Sequence, residues 1–402
     1  MSSPDARPPA TGPLHGVRVL DFGRYIAGPF CAALLGDVGA EVIRIERIDG
    51  GADRGITPLG PDDGDAGAMF VQIARNKRGM TLNPMKPRGR TITGQLIATA
   101  DVVVANLPQM ALQAMGLDAA SVHAINPEVV LATTDTFGPG AWSDRLGFDG
   151  LGQVMSGAAH LSGPPDVPAK TYALWVDHLT GALSAFGVVT ALLDRLSTGR
   201  GEHVQTALLH SALTVMSGSL AEQAIHQPNR VGTHNRSQTA GPADIVQTSD
   251  GWIIIQCVGD RLFDRLAGVV GHPEWSTDPR FGSDLARGEH RDELIPMIQA
   301  WCRPQTTDAV LEQFREAGVP SGPVLSPQQA LDHEHVRSSP MIEPGRYGHI
   351  TGIPLVTAPV RFGTQEPIAG PAPTLGADTD ALLTELGYSA SAIAELRRDR
   401  VV

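Results

Sequence analysis

The first half of the chain alternates short apolar strands with helical segments. Residues 16–22 form a β-branched run, and Gly28-Pro29 precedes an apolar stretch that ends at Leu35. This pattern predicts a strand and then a helix with proline in its first turn. Further strands are predicted at 41–46, 101–105 and 129–133. Such alternation is typical of a parallel sheet that is covered by helices and binds ligands at the carboxyl ends of its strands.

The second half begins with one long predicted helix, 177–196, which ends at the glycines of Thr198-Gly199-Arg200-Gly201. The elements predicted next are a strand at 204–209, a helix at 212–226, a polar loop at 229–243, a strand at 252–257 and a helix at 261–270. Proline and glycine are dense from 340 to 373, which predicts an extended segment, and two short helices are expected at 378–386 and 390–398.

These elements predict an α/β fold with two domains. The predicted parts are a flexible tail at 1–13, a large domain at 14–203, a linking strand and helix at 204–225, a small α+β domain at 226–330, and a return segment with two helices at 331–402 that packs on the large domain. The first 13 residues contain four prolines and no apolar run, so we expect no signal peptide there.

Composition narrows the function classes. The chain has 402 residues, of which 18% are charged, and 31 basic against 43 acidic residues give a net charge of −12, which argues against binding to nucleic acid or anionic membranes. The apolar stretch 185–193 is shorter than the roughly 20 residues of a membrane span. Three cysteines at 31, 257 and 302 fit neither a disulfide framework nor a zinc motif. We therefore expect a soluble cytoplasmic protein.

Several familiar motifs are incomplete. The glycines at 23 and 28 have the spacing of a P-loop, but Pro29 and Phe30 stand where the lysine and hydroxyl residues are needed. The chain has no GxGxxG and no GxSxG sequence. His333-Glu334-His335 lacks the spacing of a metal motif and is interpreted as a solvated charge cluster. We expect no metal.

One segment is strongly basic, although the chain as a whole is acidic. Residues 66–100 contain no aspartate or glutamate, and their six cations are Arg75, Lys77, Arg78, Lys86, Arg88 and Arg90. The segment could hold a phosphate-bearing small molecule or could be a basic surface without a ligand, and composition leaves both open.

Asp177 stands directly before the long helix. It could cap the helix, or the helix N-terminus could keep its carboxylate ionised as a nucleophile toward an acyl group. Composition does not choose between these interpretations.

Motifs along the whole chain resemble the class III CoA-transferase family, also called CaiB/BaiF. The matching stretches are Leu20-Asp-Phe22, Ala27-Gly28-Pro29, Gly39 to Glu46, Arg75-Asn-Lys-Arg78, Asp101 to Asn106, Phe137-Gly138, Thr198 to Gly201, Gly318 to Val324, Pro373 to Gly376 and Glu385 to Tyr388. The resemblance implies a Rossmann-like large domain with a parallel sheet, a smaller α+β domain and an interlocked homodimer whose active site lies between domains of different subunits.

The resemblance also implies a mechanism, with Asp177 as the nucleophile. Asp177 would form a mixed anhydride with the acyl group of the donor and then a thioester with CoA, which passes to an acceptor acid. Val176 precedes it where the family usually has glycine. Succinyl-CoA is the candidate donor, and transfer between two carboxyls of one diacid would use the same residues.

The CoA contacts that the resemblance implies follow the predicted strands. They are Ile26, Ala27, Arg47, Leu82, Asn83, Met85, Lys86, Asn106, Leu107, Pro108, Thr136 and Phe137. Ala114 and Asp135 stand where some members have a basic contact. CoA is expected as a substrate, and no permanently bound cofactor is expected.

Two alternatives share this resemblance. An α-methylacyl-CoA racemase needs a histidine where Phe148 precedes Asp149, and phenylalanine cannot accept a proton. His160 and His178 are interpreted as structural. A non-catalytic CoA-binding protein is the other alternative. The resemblance implies that oxalate-using members close the site with a glycine-rich loop, and oxalate is disfavoured here because the corresponding residues 237–243 contain a single glycine. Trp175 either lines the acyl pocket or packs in the core.

Overall fold

The structure, a computed structural model, describes residues 12–59, 66–363 and 370–402. Residues 1–11 of the predicted tail, and 364–369 of the predicted extended segment, lie outside the described residues. The chain divides into two compact units. The larger unit contains the described residues up to Ser156 together with Tyr172–Gly218 and Ser338–Val402, and the smaller unit contains Gly157–Thr171 and Ser219–Arg337.

Strands occur in both units. In chain order they are β1 Arg18–Asp21, β2 Glu41–Glu46, β3 Lys77–Thr81, β4 Val102–Ala105, β5 Val130–Asp135, β6 His203–Ala207, β7 Ala243–Gln247, β8 Trp252–Gln256, β9 Ser321–Pro323, β10 Ile342–Tyr347 and β11 Ile350–Val356.

Helices connect most of these strands. In chain order they are α1 Ala27–Asp37, α2 Ala68–Ile73, α3 Pro87–Ala98, α4 Gln109–Met115, α5 Ala119–Ile125, α6 Asp149–Met155, α7 Ala158–Leu161, α8 Trp175–Thr198, α9 Leu208–His226, α10 Asp260–Val269, α11 Asp284–Glu289, α12 Arg291–Cys302, α13 Thr307–Ala317, α14 Pro327–Asp332, α15 Glu334–Arg337, α16 Thr379–Glu385 and α17 Ala390–Arg398.

A six-stranded parallel sheet forms the centre of the larger unit. Its order is β3-β2-β1-β4-β5-β6, and every pairing is parallel. Alternate residues of the strands enter two different apolar cores, so Val19 and Leu20 are both fully buried. Burial on both faces explains why these strands are almost continuously apolar. The predicted parallel sheet covered by helices is confirmed.

Each face of the sheet has its own helical layer. One apolar core includes residues of α1 and α8, and the other includes residues of α3, α5, α16 and α17. The α8 helix is long and apolar enough to span a membrane by length and composition, although half of its most apolar stretch is buried inside the protein. Here it packs on α1 and on the sheet, as a core helix does.

The smaller unit contains an antiparallel sheet in the order β7-β8-β9. Its core is rich in aromatic side chains, which include Phe263, Trp275, Phe281 and Phe314. The larger unit also contains the antiparallel hairpin β10–β11, within the segment that proline and glycine content predicted as simply extended.

The structure also differs from the predicted elements elsewhere, for example at β3, at β7 and at the boundary between β6 and α9. The β3 strand was not predicted, because it begins with two cations and contains Gly79, a composition that is unfavourable for a strand. The predicted strand at 204–209 ends earlier, at Ala207, and α9 begins at Leu208 instead of at residue 212.

Candidate active site

Asp177 lies in the first turn of α8, and its carboxylate does not cap the helix. Leu174 occupies the N-cap position and has no side-chain group that can accept a hydrogen bond. The main-chain N–H groups of Val176 and Asp177 donate instead to Asp149 Oδ2, at 2.8 and 3.1 Å. The capping interpretation of Asp177 is therefore wrong, since a residue from another helix supplies the cap.

Asp149 is held firmly in this role. It is the first residue of α6 and is only 2% exposed. Its other oxygen, Oδ1, accepts a hydrogen bond from Gln153 Nε2 at 2.5 Å, and the same amide group donates to the main-chain oxygen of Ala173 at 3.2 Å. Asp149 and Gln153 thus join the start of α6 to the start of α8.

The Asp177 carboxylate itself is buried without compensation. It is 9% exposed, and among the described residues no side chain or N–H group forms a hydrogen bond or an ion pair with its oxygens. Burial, and then the nearby charge of Asp149, raises the pKa of Asp177 to about 7. The helix N-terminus therefore does not hold the pKa of this carboxyl at its ordinary low value. A carboxylate with few partners is available for attack on an acyl group when it is ionised.

The loop between β1 and α1 lies beside the start of α8. Ala27 and Val176 belong to one buried apolar cluster, and the Phe30 ring contacts the His178 ring edge-on at 4.9 Å. A Cβ atom at Gly181 would stand 2.6 Å from the main-chain oxygen of Ala27, so glycine allows α8 and α1 to approach this closely. Two of the predicted CoA contacts, at 26 and 27, are therefore placed near the nucleophile candidate.

The neighbouring histidine and tryptophan have structural contacts. His178 Nδ1 is 2.7 Å from the main-chain oxygen of Leu174, and Trp175 packs half-buried against the cluster that contains Val176. These contacts agree with a structural role for His178, and they place Trp175 against the core. His160 lies on α7 in the smaller unit.

An aromatic pair borders Asp149. Phe148 is 61% exposed, and its ring meets the ring of Tyr25 edge-on at 5.2 Å. The position where a racemase would need its histidine therefore holds an apolar ring in the structure as well.

The predicted CoA contacts all lie at one edge of the parallel sheet. They follow the carboxyl ends of β1 (Ile26, Ala27), β2 (Arg47), β3 (Leu82, Asn83, Met85, Lys86), β4 (Asn106, Leu107, Pro108) and β5 (Thr136, Phe137). The fold thus brings together segments that are far apart in the sequence, at the edge where parallel sheets bind ligands.

These residues differ in how available they are. Arg47 and Met85 are exposed, and the Arg47 guanidinium has no hydrogen-bond or ion-pair partner among the described residues. Leu82 is buried in the core. Both ends of the Asn106 amide are occupied, because it accepts from Arg24 N at 2.6 Å and donates to Arg24 O at 2.7 Å. Arg47 is therefore the better candidate for a phosphate contact.

The six cations of the basic segment 66–100 do not form a free basic surface, whereas phosphate binding by this segment stays a prediction. Its cations are satisfied within the chain: Arg75 pairs with Asp37, Lys77 with Asp21, Arg78 with Glu41 and Glu385, and Arg88 with Asp399, whereas Lys86 and Arg90 donate to main-chain oxygens. Composition counted these charges along the sequence and could not see their distant acidic partners.

Sequence reasoning missed two parts of this region. It considered Asp149 only as a neighbour of the racemase position, although Asp149 caps α8. It also missed the buried pair of Lys77 and Asp21 beneath the loop at 22–29, a name that here includes the first turn of α1. Asp21 stood in a predicted strand, but Lys77 begins a strand that was not predicted, and the pairing of the two also requires the sheet order.

Similarity to known proteins extends over nearly the whole chain. The family model described as CoA-transferase family III matches residues 14–379. A succinyl-CoA–D-citramalate CoA-transferase from Chloroflexus aurantiacus is 34% identical over 333 residues, which are 82% of this chain and 82% of that protein. The beta subunit of a succinyl-CoA–L-malate CoA-transferase from the same organism is 32% identical over 406 residues, covering 98% of each chain.

A solved structure shares the fold. The crystal structure of a CAIB/BAIF family protein from Brucella suis superposes with a TM-score of 0.81 at 29% identity, covering 94% of this chain and 100% of that chain. The predicted family, the predicted enzyme class and the mixed α/β fold are therefore confirmed. The chain belongs to CoA-transferase family III.

Proposed function

We propose that this enzyme moves CoA from succinyl-CoA to a small organic acid through covalent intermediates on Asp177. The observation that carries the proposal is the buried, uncompensated carboxylate at the start of α8, whose main chain is held by Asp149. Two relatives, named as succinyl-CoA–D-citramalate and succinyl-CoA–L-malate CoA-transferases, support the donor and favour a dicarboxylic acceptor.

The first half of the reaction uses the ionised form of Asp177. Its carboxylate attacks the thioester carbonyl of the donor, the C–S bond breaks, and CoA leaves as a thiolate while a mixed anhydride forms. The thiolate then attacks the aspartyl carbonyl and expels the donor acid as a carboxylate, which takes one oxygen of Asp177 with it. The enzyme now holds CoA as an aspartyl thioester.

The second half repeats these steps with the acceptor. The acceptor carboxylate attacks the aspartyl thioester, CoA thiolate leaves, and a new mixed anhydride forms. The thiolate attacks the acceptor's acyl carbon and releases Asp177 with an oxygen that came from the acceptor. The free energy of the thioester is preserved as long as water is excluded, and the buried apolar cluster that contains Val176 favours that exclusion.

The CoA molecule is proposed to lie along the carboxyl edge of the parallel sheet. The contacting residues would be Ile26, Ala27, Arg47, Leu82, Asn83, Met85, Lys86, Asn106, Leu107, Pro108, Thr136 and Phe137. The exposed guanidinium of Arg47 is the proposed partner of a nucleotide phosphate.

A second copy of the chain is the proposed partner in an interlocked homodimer. On α8, exposed apolar residues recur at helical spacing on one face: Phe186, Val189, Leu193 and Leu196. On α9, Val215, Leu220 and Ile225 are also exposed, in a helix that is apolar on several sides. Such helices are normally covered, and light scattering should give twice the chain mass. A monomer for the double variant F186D/L193D, with a dimer for the wild type, would support this interface.

The enzyme is proposed to act in the cytoplasm. Its three cysteines are free, as is usual for proteins of a reducing compartment. They are also buried, and burial raises the pKa of each thiol to about 12, so the thiols are unreactive.

Isotope transfer tests the covalent route directly. The enzyme is incubated with succinyl-CoA and an acceptor dicarboxylate that carries ¹⁸O in its carboxyl groups. We expect the label to appear in the peptide that contains Asp177 and then in released succinate. Quenching during turnover should yield the same peptide with a mass increase equal to CoA minus water. CoA transfer without label in that peptide would overturn the role of Asp177.

A second incubation distinguishes the proposed CoA transfer from the alternative function, a racemase. In deuterium oxide, a racemase would exchange the α-hydrogen of a branched acyl-CoA without passing CoA to any acid. That result with a panel of mono- and dicarboxylic acids would replace the proposed reaction.

A further inference from the structure

The loop at 22–29 contains a strained residue next to two proposed CoA contacts. Tyr25 has a φ of +58°, in the left-handed region that residues with a Cβ atom disfavour. Such a conformation persists only where the surrounding structure fixes it, and it is often found at functional sites. Ile26 and Ala27 follow directly. The contacts that hold this loop therefore determine where its CoA-facing backbone lies.

One buried side chain fastens both ends of the loop. The Lys77 ammonium, fully buried at the start of β3, lies 2.8 Å from Asp21 Oδ2 and donates to the main-chain oxygen of Pro29 at 2.7 Å. Asp21 ends β1, and its Oδ1 accepts from Gly23 N at 2.8 Å. Pro29 lies in the first turn of α1. Lys77 thus joins the residue before the loop to the residue after the strained position.

The middle of the loop is fastened separately. The Asn106 amide binds both main-chain groups of Arg24, and the Arg24 guanidinium donates to the main-chain oxygens of Gly23 and Ile45 at 2.7 and 3.1 Å. With Lys77 at the ends and Asn106 in the centre, the Tyr25 peptide has little freedom to relax.

Lys77 occupies a costly environment. Burial lowers the pKa of Lys77 to about 8, although Asp21 opposes that shift. The charged groups around it are Asp21, Arg44 and Arg75, and the ion-pair network continues through Glu46, Asp53 and Arg54. Buried ion pairs are often no more stabilising than apolar residues of the same volume. Stability alone therefore does not account for a lysine here, whereas its two directional bonds to the loop do.

We propose that Lys77 is a positioning residue for acyl-CoA binding, which fixes the loop at 22–29 so that the backbone of Ile26 and Ala27 is preorganised for CoA. Lys77 itself contacts no substrate in this proposal. The inference rests on the proposed function, because CoA is the ligand that the loop would bind.

The test compares Lys77→Met with the wild type and with Lys170→Met, which changes an exposed lysine of the smaller unit. We expect Lys77→Met to raise the KM for succinyl-CoA by about ten-fold while kcat changes much less, because a misplaced loop costs binding before chemistry. Lys170→Met should leave both constants unchanged. An unchanged KM in Lys77→Met would overturn the proposal.

A double variant separates positioning from charge balance. Lys77→Met leaves Asp21 buried without its ammonium, so the single variant also loses stability. In Lys77→Met/Asp21→Asn the uncompensated charge is removed, and we expect Tm to recover while KM stays high. Recovery of both Tm and KM would overturn the positioning role, since Lys77 would then only balance charge. The double variant also serves if the single variant fails to fold.

Amide hydrogen exchange gives a measurement that does not depend on CoA. The amides of residues 22–28 should exchange faster in the double variant than in the wild type, with exchange in the smaller unit unchanged. Unchanged exchange at 22–28 would overturn the positioning role alone. A wild-type protein that binds no succinyl-CoA would instead overturn the ligand named here together with the proposed function.

Discussion

Two aspartates of the larger unit, Asp21 and Asp177, are both buried, but their pKa values are shifted in opposite directions. Asp21 is fully buried, yet Lys77 and Arg44, at 2.8 and 3.5 Å, outweigh the effect of burial and lower its pKa. Asp177 is 9% exposed and has no cation beside it among the described residues, so burial and Asp149 raise its pKa to about 7. Partners therefore decide what burial does to each carboxylate.

The proposed function gives the two groups different tasks. A carboxylate that is ionised and held by two cations and a main-chain N–H group, as Asp21 is, stabilises a scaffold. A carboxylate that is buried with few bonds, as Asp177 is, costs free energy in the folded state and is reactive when ionised. Both lie near the carboxyl edge of the sheet, so the ion pairs of Asp21 can stabilise the structure in which the proposed chemistry of Asp177 takes place.

The largest expected effect is the loss of activity at Asp177. Asp177→Ala should lower kcat by about 10³–10⁵-fold, because no covalent intermediate can form without the nucleophile. The control is Asp264→Asn, which changes an exposed aspartate of α10 and should leave kcat unchanged. Steady-state assay of CoA transfer gives the comparison. Activity of Asp177→Ala within ten-fold of the wild type would refute the assigned task.

The next effect tests Asp21. Asp21→Asn should destabilise the protein by about 3–5 kcal/mol, because it leaves Lys77 buried without its counter-charge. Asp380→Asn removes an exposed ion pair with Arg397 and should cost at most about 1 kcal/mol. Urea unfolding at pH 7 measures both. Equal losses of unfolding free energy in the two variants would show that burial does not make the Asp21 pair more important for stability than the exposed Asp380 pair.

Asp149 can be changed in two ways that act on different properties. Asp149→Ala removes the cap of α8 and should lower kcat by about 10–100-fold through misplacement of Asp177. Asp149→Asn keeps an acceptor and removes the charge that raises the pKa of Asp177, so the acidic limb of the kcat–pH profile should move to lower pH. Kinetics from pH 5 to pH 8 decide this, and an unmoved limb would remove Asp149 from the electrostatics of the site.

Asp177 should also show a cost in stability. Its pKa is raised in the folded protein, so the folded state holds a proton between pH 3.8 and about 7 that the unfolded state has lost, and stability falls as pH rises through that range. Asp177→Asn removes this cost and should raise the unfolding free energy by about 4 kcal/mol at pH 8, with little gain near pH 4. Denaturant unfolding at both pH values measures the difference, and a destabilised variant at pH 8 would contradict it.

The smallest effect concerns the strained loop above Asp21. Glycine adopts positive φ without a penalty, so Tyr25→Gly should be more stable than Tyr25→Ala by about 1 kcal/mol, the reverse of the usual order. The alanine variant is the control for the lost ring contact with Phe148. Thermal unfolding of the pair measures the difference, and a more stable alanine variant would show that the loop relaxes.

The sequence predicted those elements well whose pattern is local. The β2 strand at Glu41–Glu46 and the last helix at Ala390–Arg398 have the predicted bounds, and α8 extends the predicted helix by two residues at each end. Their apolar spacing and their terminal glycine or polar residues are read from neighbours in the chain. The ordered motifs likewise predicted the family and the edge of the sheet at which the candidate site lies.

The tertiary structure alone decided which charged groups meet. Lys77 and Asp21 are 56 residues apart, and Asp149 reaches a main-chain N–H 27 residues away. From the sequence, Lys77 was counted as part of a basic segment and Asp177 was considered as the cap of α8. Both interpretations lacked the distant partners, because hydrophobic periodicity carries no information about them. Local pattern thus determined the elements and the family, whereas pKa, capping and ion pairing depend on distances and burial that exist only once the chain has folded.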